Sequence, residues 1–328
     1  MTAARVLVST SPFASEDPAL LSLLDRPDIE CVMNPLGRRL TELELMELVK
    51  DVDILIAGTE PITASVLERA QNLKLISRVG IGLDSVDLCE SRARGIAVTY
   101  TPDAPSTAVA ELTVGLVFCL LRSIHVSNLR MRSASWTRHF GESIEDVSIG
   151  IVGVGRIGSR VAKMVTALGA RDVVACDPQR ELEGLRLDGV RWSTHDELYR
   201  SSDVISLHVP LTRHNRGMIG TRELSSMRPS VCLINTSRGG VVNEQALLAH
   251  LDAGGLGAVA LDVFENEPYE GPLTSYDRVL LTAHMGSMTR RSRKQMEWEA
   301  TMDVLRFLEG DDLQGTVPDT EYDACLES

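Results

Sequence analysis

The sequence predicts an α/β protein of two domains, each a parallel sheet covered by helices. Three observations carry that expectation. Short apolar runs alternate with helix-spaced segments along most of the chain, the pattern of consecutive βα units. The alternation breaks at Thr101-Pro102-Asp103-Ala104-Pro105 and resumes at Ser148. At about 150 residues per domain, a chain of 328 residues is long enough for two.

In the first hundred residues Val6-Leu7-Val8, Ile54-Leu55-Ile56 and Ile96-Ala97-Val98 read as strands. Residues 41–49 and 63–71 have helical spacing, each opened by a threonine suited to the N-cap. A long apolar helix, 106–122, follows the proline pair. The second series has strands at 149–152, 173–175, 204–207, 231–234, 258–261 and 279–281, with helices near 157–168, 196–201, 221–227 and 244–253. Six parallel strands with intervening helices is the Rossmann arrangement. A last helix, 289–308, has no strand after it, and the acidic tail 319–328 reads as a loose terminus.

Composition narrows the function. Hydrophobic residues make up 44% and charged residues 24%, which excludes a disordered chain. Aromatics are only 4%, so the cores must come from Leu, Val, Ile and Ala. The balance of 33 basic and 46 acidic residues gives −13, a field that repels nucleic acid and anionic lipid. Neither is an expected partner. The six cysteines lie far apart with no C-x-x-C pair, which points to reduced, buried thiols and no metal site. The longest nearly apolar stretch, 112–121, is half a membrane span, and Met1 to Thr10 is too short for a signal peptide. The expectation is a cytoplasmic protein without a membrane partner.

Gly153-Val154-Gly155-Arg156-Ile157-Gly158 is a G-x-G-x-x-G string. Its context makes it specific, because a strand runs into it and an amphipathic helix leaves it. Gly153 permits the tight turn, Gly155 lets a pyrophosphate approach the backbone, and Gly158 lets the helix pack on the sheet. The helix N-terminus offers unpaired N–H groups to the phosphates. Asp177 stands 19 residues beyond Gly158, at the end of the next strand, where it can accept hydrogen bonds from ribose hydroxyls. Its charge favours NAD over NADP, a preference tempered by Arg180.

With these segments in view, the sequence resembles the D-isomer-specific 2-hydroxyacid dehydrogenases, a family that includes phosphoglycerate, glyoxylate and phosphonate dehydrogenases. The resemblance is carried by Val79-Gly80-Ile81-Gly82-Leu83-Asp84, the glycine loop, Leu207-His208-Val209-Pro210-Leu211-Thr212, Asn235-Thr236-Ser237-Arg238-Gly239-Gly240, Leu261-Asp262-Val263-Phe264-Glu265-Asn266-Glu267-Pro268 and Thr282-Ala283-His284-Met285-Gly286-Ser287. It implies that Arg238, Glu267 and His284 are the catalytic trio. The residue types suit reduction of a 2-oxo acid. His284 can donate a proton near neutral pH, Glu267 can hold its ring, and the fork of Arg238 can clamp a carboxylate. Glu265, two residues from Glu267, carries the same chemistry; register with the family favours Glu267.

The same resemblance implies that backbone N–H groups of Val79, Gly80, Ile81 and Gly82 bind the substrate carboxylate. It places Arg156, Ile157, His208, Pro210, Thr212, Thr236 and Asp262 along the NAD site, Asp262 facing the nicotinamide amide. It implies a flavodoxin-like substrate domain formed by 1–102 and 289–328, a Rossmann NAD domain at 103–288, a cleft between them, and a homodimer through the 106–122 helix. Two departures stand out. Glu145-Asp146-Val147 replaces a common Gly-Lys before the glycine-loop strand. Thr289-Arg290-Arg291-Ser292-Arg293-Lys294 puts cations at a helix N-terminus, against the macrodipole. Either i,i+4 pairing with Glu297 and solvation offset that cost, or Arg290, Arg291 or Arg293 anchors the phosphate or phosphonate of a small anionic substrate, with Arg78 as a second anchor. The expected function is NAD-dependent interconversion of a D-2-hydroxy acid and its 2-oxo acid. The alternatives are an NAD(H)-sensing corepressor of the same fold and a phosphonate-oxidising dehydrogenase.

Overall fold

The computed structural model describes residues 3–177, 179–180 and 184–325. The chain divides into two compact units, Met1–Pro105 with Met288–Ser328, and Ser106–Ser287. The sequence expectation put these boundaries at 102/103 and 288/289.

The first unit holds five parallel strands: β1 (Ala4–Val8), β2 (Ile29–Met33), β3 (Ile54–Ala57), β4 (Leu75–Arg78) and β5 (Ala97–Thr99), in the order β2-β1-β3-β4-β5. This is the flavodoxin-like order. The central strand β3 is buried on both faces, so it reads as an unbroken apolar run. The helices on the sheet are α1 (Ala19–Leu24), α2 (Glu42–Leu48), α3 (Ala64–Arg69) and α4 (Leu88–Ala93). Thr41 and Thr63 are the N-caps of α2 and α3 as expected, and Thr41 forms a capping box with Glu44. Sequence reading missed β2 and β4. The first is a half-exposed edge strand interrupted by Glu30, and the second ends on a buried arginine.

The final long helix, which we number α11 (Arg290–Glu309), also belongs to this unit, and its N-cap Thr289 accepts from Ser292 N–H at 3.1 Å. Met296, Ala300 and Val304 pack it on Val6, Val8, Ile54 and Ile56. The cations of its first turn are mostly paired. Arg290 meets Glu16 (3.4 Å), Lys294 meets Asp17 (2.9 Å), and Arg293 meets Glu297 (2.5 Å). Arg293 is interior: its guanidinium also donates to Thr10 Oγ1 (2.9 Å), while Glu297 accepts from Ala14 N–H (2.9 Å). Arg291 is exposed and has no ion pair among the described residues.

Two expectations fail here. The tail is not loose as far as residue 325, because Asp319–Cys325 forms a 3-10 turn. Tyr322 is buried beneath the Arg92 guanidinium, 3.5 Å from its ring centroid, and Arg92 pairs with Asp319 at 2.6 Å. Cysteine spacing also misled. Cys31, Cys119, Cys176 and Cys232 form no disulfide, but Cys89 is disulfide-bonded. A single bridge requires proximity in space, which separation along the chain does not exclude.

The second unit has seven parallel strands: β6 (Ser148–Val152), β7 (Asp172–Cys176), β8 (Val190–Trp192), β9 (Val204–Leu207), β10 (Cys232–Asn235), β11 (Ala258–Leu261) and β12 (Val279–Leu281), in the order β12-β11-β10-β9-β6-β7-β8. The unexpected one is β8, a three-residue edge strand too short and polar to register as an apolar run. Connecting helices are α5 (Ser106–Leu121), α6 (Ile124–Arg132), α7 (Gly158–Ala167), α8 (His195–Ser201), α9 (Thr221–Ser226) and α10 (Glu244–Asp252). The strand order reverses between β6 and β9, so the loops after those strands flank the switch point where such sheets bind ligands.

The apolar surface of α5 is used inside its own unit. Ala110, Val114, Val117 and Leu121 share a core with Val161 and Val165 of α7 and Ile149, Ile151 and Ile234 of the sheet. The apolar character of 106–122 is therefore accounted for within one unit. By contrast α6 has no fully buried residue, and Ile124, Leu129 and Met131 are each about half exposed. Trp136 (80%) and Phe140 (107%), in the segment after α6, are also exposed. Among the described residues, no single helix is long and apolar enough to cross a membrane.

Candidate active site

The glycine loop leaves β6 and enters α7. Gly153 has φ +86°, a conformation L side chains rarely adopt, and its Cβ position would fall 2.6 Å from the His208 carbonyl oxygen. At Gly158 a Cβ would stand 1.9 Å from the Gly153 oxygen, so helix and turn touch through backbone alone. Gly155 has nothing within 4 Å of its Cβ position. Two tight glycines beside one open one is what a pyrophosphate seat on a helix N-terminus requires. Arg156 is exposed at the tip, and Ile157 is the residue that precedes α7. Asp177, after β7, accepts from Val154 N–H (2.8 Å) through Oδ2 and from Arg180 N–H (3.2 Å) through Oδ1. It therefore braces the loop at the position where a ribose acceptor is needed.

His208 follows β9 beside this loop. Its Nε2 lies 2.9 Å from Ser206 Oγ, its Nδ1 is buried without a hydrogen-bond partner, and burial pushes its pKa down to about 3. The ring is neutral at physiological pH. Further along, Asn215 Oδ1 accepts from Thr212 N–H (2.7 Å) and its amide donates to the Pro210 carbonyl, which orders the Pro210–Thr212 segment. Thr113 Oγ1 donates to the Val109 carbonyl, leaving Thr236 to donate to it at 2.8 Å.

Three loops at the carboxyl ends of adjacent strands bring the trio together. After β10, Asn235 Nδ2 holds the Arg238 carbonyl (2.8 Å) and Asn235 Oδ1 accepts from Ser237 N–H (3.0 Å). Arg238 is half-buried in extended backbone, with Nη1 donating to the Ser237 carbonyl at 2.7 Å. After β11, Glu267 Oε1 accepts from Phe264 N–H (3.1 Å), which leaves Oε2 to meet His284 Nδ1 at 2.8 Å. That contact selects Glu267 over Glu265, whose carboxylate is engaged with the N–H of Glu244. After β12, His284 has φ +48°, an uncommon left-handed residue, with its N–H on the Asp262 carbonyl (2.8 Å).

Asp262 keeps that loop in place. Its carboxylate is 1% exposed and accepts from Thr282 Oγ1 (2.6 Å), Met285 N–H (2.8 Å) and Gly286 N–H (2.8 Å). Sequence reasoning also missed Asn235 and Gly239. Both lay in the N-T-S-R-G-G string, but their roles depend on the neighbouring loop.

In the first unit the loop after β4 is narrower as an anion site than expected. Val79 N–H belongs to the sheet, on the Ala57 carbonyl, and Gly80 N–H donates to Thr101 Oγ1 (2.9 Å). Both are therefore corrected as direct donors, because their hydrogens are already committed. The N–H groups of Ile81 and Gly82 have no such partner among the described residues. Arg78 is 5% exposed and its Nη1 donates to the Val79 carbonyl at 2.7 Å, against the Cβ position of Gly80, whose φ is +146°. It supports the loop from within rather than extending from it.

A Rossmann unit with a buttressed glycine loop and a His–Glu pair at the strand ends defines a dinucleotide-dependent enzyme fold. Residues 114–286 match the family model described as the NAD binding domain of D-isomer specific 2-hydroxyacid dehydrogenase. The chain belongs to that family. It is 36% identical over 278 residues to the D-3-phosphoglycerate dehydrogenase of Methanocaldococcus jannaschii, covering 83% of this chain and 53% of that one. This chain thus spans about half the length of that relative. It is 33% identical over 297 residues to the hydroxypyruvate reductase of Thermotoga maritima, covering 87% and 96%. Among solved structures it is similar to D-lactate dehydrogenase from Aquifex aeolicus complexed with NAD and lactic acid, with TM-score 0.81 and 26% identity over 94% of this chain and 96% of that one.

Proposed function

We propose that this chain is an NAD-dependent oxidoreductase interconverting a D-2-hydroxy acid and its 2-oxo acid. The observation that carries the reading is the His284 Nδ1–Glu267 Oε2 contact at 2.8 Å, set beside the Arg238 loop and the glycine loop in one unit. Bound NADH supplies the hydride. Glycine-loop N–H groups and Asp177 hold its pyrophosphate and ribose. With Glu267 accepting from Nδ1–H, His284 carries its transferable proton on Nε2 and delivers it to the carbonyl oxygen as that oxygen becomes an alkoxide. In the reverse direction neutral Nε2 removes the hydroxyl proton. Arg238 binds the carboxylate and polarises the carbonyl.

The substrate we propose is a short, unphosphorylated 2-oxo acid. Of the arginines that could anchor a phosphate, Arg78 is buried beneath its own loop, and Arg290 and Arg293 pair with Glu16 and Glu297, while Arg291 is exposed without an ion pair among the described residues. Relatives named glyoxylate reductase and hydroxypyruvate reductase are of this class. We further propose a homodimer through α6 and residues 133–143, where the exposed Trp136 and Phe140 lie.

The test is the initial rate of NADH oxidation with glyoxylate, hydroxypyruvate, pyruvate, phosphohydroxypyruvate and phosphonopyruvate, in parallel with His284→Ala. An unphosphorylated acid should lead, and the variant should lose about 10²–10⁴ in kcat. Absence of turnover with every acid, while NADH still binds, would refute the reading.

A further inference from the structure

We infer that Glu244 and Glu265 form a positioning clasp that holds the Arg238 loop and the Glu267 loop in register. The inference rests on the catalytic reading of Arg238, Glu267 and His284, but neither residue of the clasp has a role in that chemistry.

Glu244 is the first residue of α10, after the N-cap Asn243, which accepts from Ala246 N–H at 2.8 Å. A first-turn N–H has no partner within its own helix. Here the Glu244 N–H donates to Glu265 Oε1 (3.1 Å), and the Glu265 N–H donates back to Glu244 Oε1 (2.6 Å). The two residues close a reciprocal ring, each carboxylate on the other's backbone.

The ring lies at one end of a longer junction. At the other end is Gly239, next to Arg238, where a Cβ would fall 2.0 Å from both the carbonyl carbon and the oxygen of Phe264. The segments 239–244 and 264–265 are therefore fastened twice, by backbone contact and by the ring. Phe264 N–H in turn holds Glu267 Oε1, and the other Glu267 oxygen holds His284. A shift at Glu265 passes in two residues to the carboxylate that orients the acid.

Placing two carboxylates together has a cost. Burial, together with the neighbouring Glu265 and Glu267, pushes the Glu244 pKa up. The positive end of α10 and two charge-assisted hydrogen bonds offset it. Reciprocal acceptors on both backbones are what an interloop clasp needs, and a surface pair serving only solubility would not need them.

The test compares Glu244→Ala, Glu265→Ala, the double variant and the two Gln variants, which keep an acceptor oxygen without the charge. Misplacing catalytic groups by a fraction of an ångström is expected to lower kcat by roughly three- to thirtyfold. The NADH Kd should stay within about twofold, and Gln should restore most of the rate. The double alanine variant should be no worse than the poorer single, since one ring is broken in each.

Amide hydrogen exchange gives a readout independent of turnover. Removing either carboxylate should accelerate exchange at its partner's N–H and over 239–244 and 262–268 together. If the alanine variants fail to fold, Glu244→Asp, one methylene shorter, should give the same direction of change. Unaltered exchange overturns the clasp even if the enzyme proves inactive on every acid. Unaltered kcat in an active enzyme, losses that multiply in the double variant, or Gln variants as slow as Ala overturn it as well.

Discussion

Gly158→Ala and Gly155→Ala separate the structural and ligand-facing roles of the glycine loop. At Gly158 the new methyl would stand 1.9 Å from the Gly153 oxygen and 3.3 Å from His208 Cβ, where ordinary contact begins at 3.4 Å. Something must move by more than an ångström. Gly153 cannot yield easily, because its own Cβ position already lies 2.6 Å from the His208 oxygen and its φ is +86°. The start of α7 must therefore lift from the sheet. Overpacking of this kind costs about 1–3 kcal/mol, which corresponds to roughly five- to 150-fold in NADH affinity if the displaced loop bears it all.

At Gly155 there is open space, so a methyl strains nothing in the protein itself. It occupies only the approach of the pyrophosphate. Calorimetric Tm and NADH titration by fluorescence distinguish the two sites. Gly158→Ala should lower both Tm and affinity, whereas Gly155→Ala should weaken NADH with Tm unchanged. Wild-type NADH affinity in Gly155→Ala would refute the placement of the cofactor on this loop.

Two further outcomes follow from other parts of the second unit. The His208 pKa is about 3 in the folded chain, against about 6.5 when unfolded, so only the unfolded state takes up that proton as pH falls through this window. The stability contributed by neutral His208 is complete above pH ~6.5 and declines below it, by roughly 2 kcal/mol between pH 7 and 5. Urea unfolding of His208→Asn should show a shallower acid slope than wild type, and parallel slopes would contradict the assignment. For assembly, sedimentation equilibrium should find a dimer that Trp136→Asp with Phe140→Asp dissociates; a monomeric wild type would remove the proposed interface.

Much of the site was legible because its chemistry is carried by contiguous strings. The glycine loop, the N-T-S-R-G-G segment and the residues around Glu267 and His284 each combine an apolar strand with the turn that follows it. In a parallel sheet every such turn emerges at the same edge, so reading the strands correctly already brings Arg238, Glu267 and His284 to one side of the unit. The misses have equally specific causes. Strands β2 and β8 are edge strands, paired on one side, whose apolar runs are broken by Glu30 and Arg191. Helix α5 owes its apolar character to α7 and the sheet around it, which its sequence does not show.

The sequence by itself determined the class of fold and the cofactor loop, since these depend on local spacing and residue chemistry, while the acid–base residues were implied by the resemblance of its motifs to the family. Tertiary structure decided which groups are available to act. It chose Glu267 over Glu265 by placing one carboxylate on His284 and the other on Glu244. It withdrew Val79 and Gly80 from direct duty by satisfying their N–H groups internally, and it buried Arg78 beneath the loop. It also placed Arg293 inside the first unit. A side chain's type is written in the chain, but whether its donors and acceptors are already occupied depends on neighbours brought near only by folding.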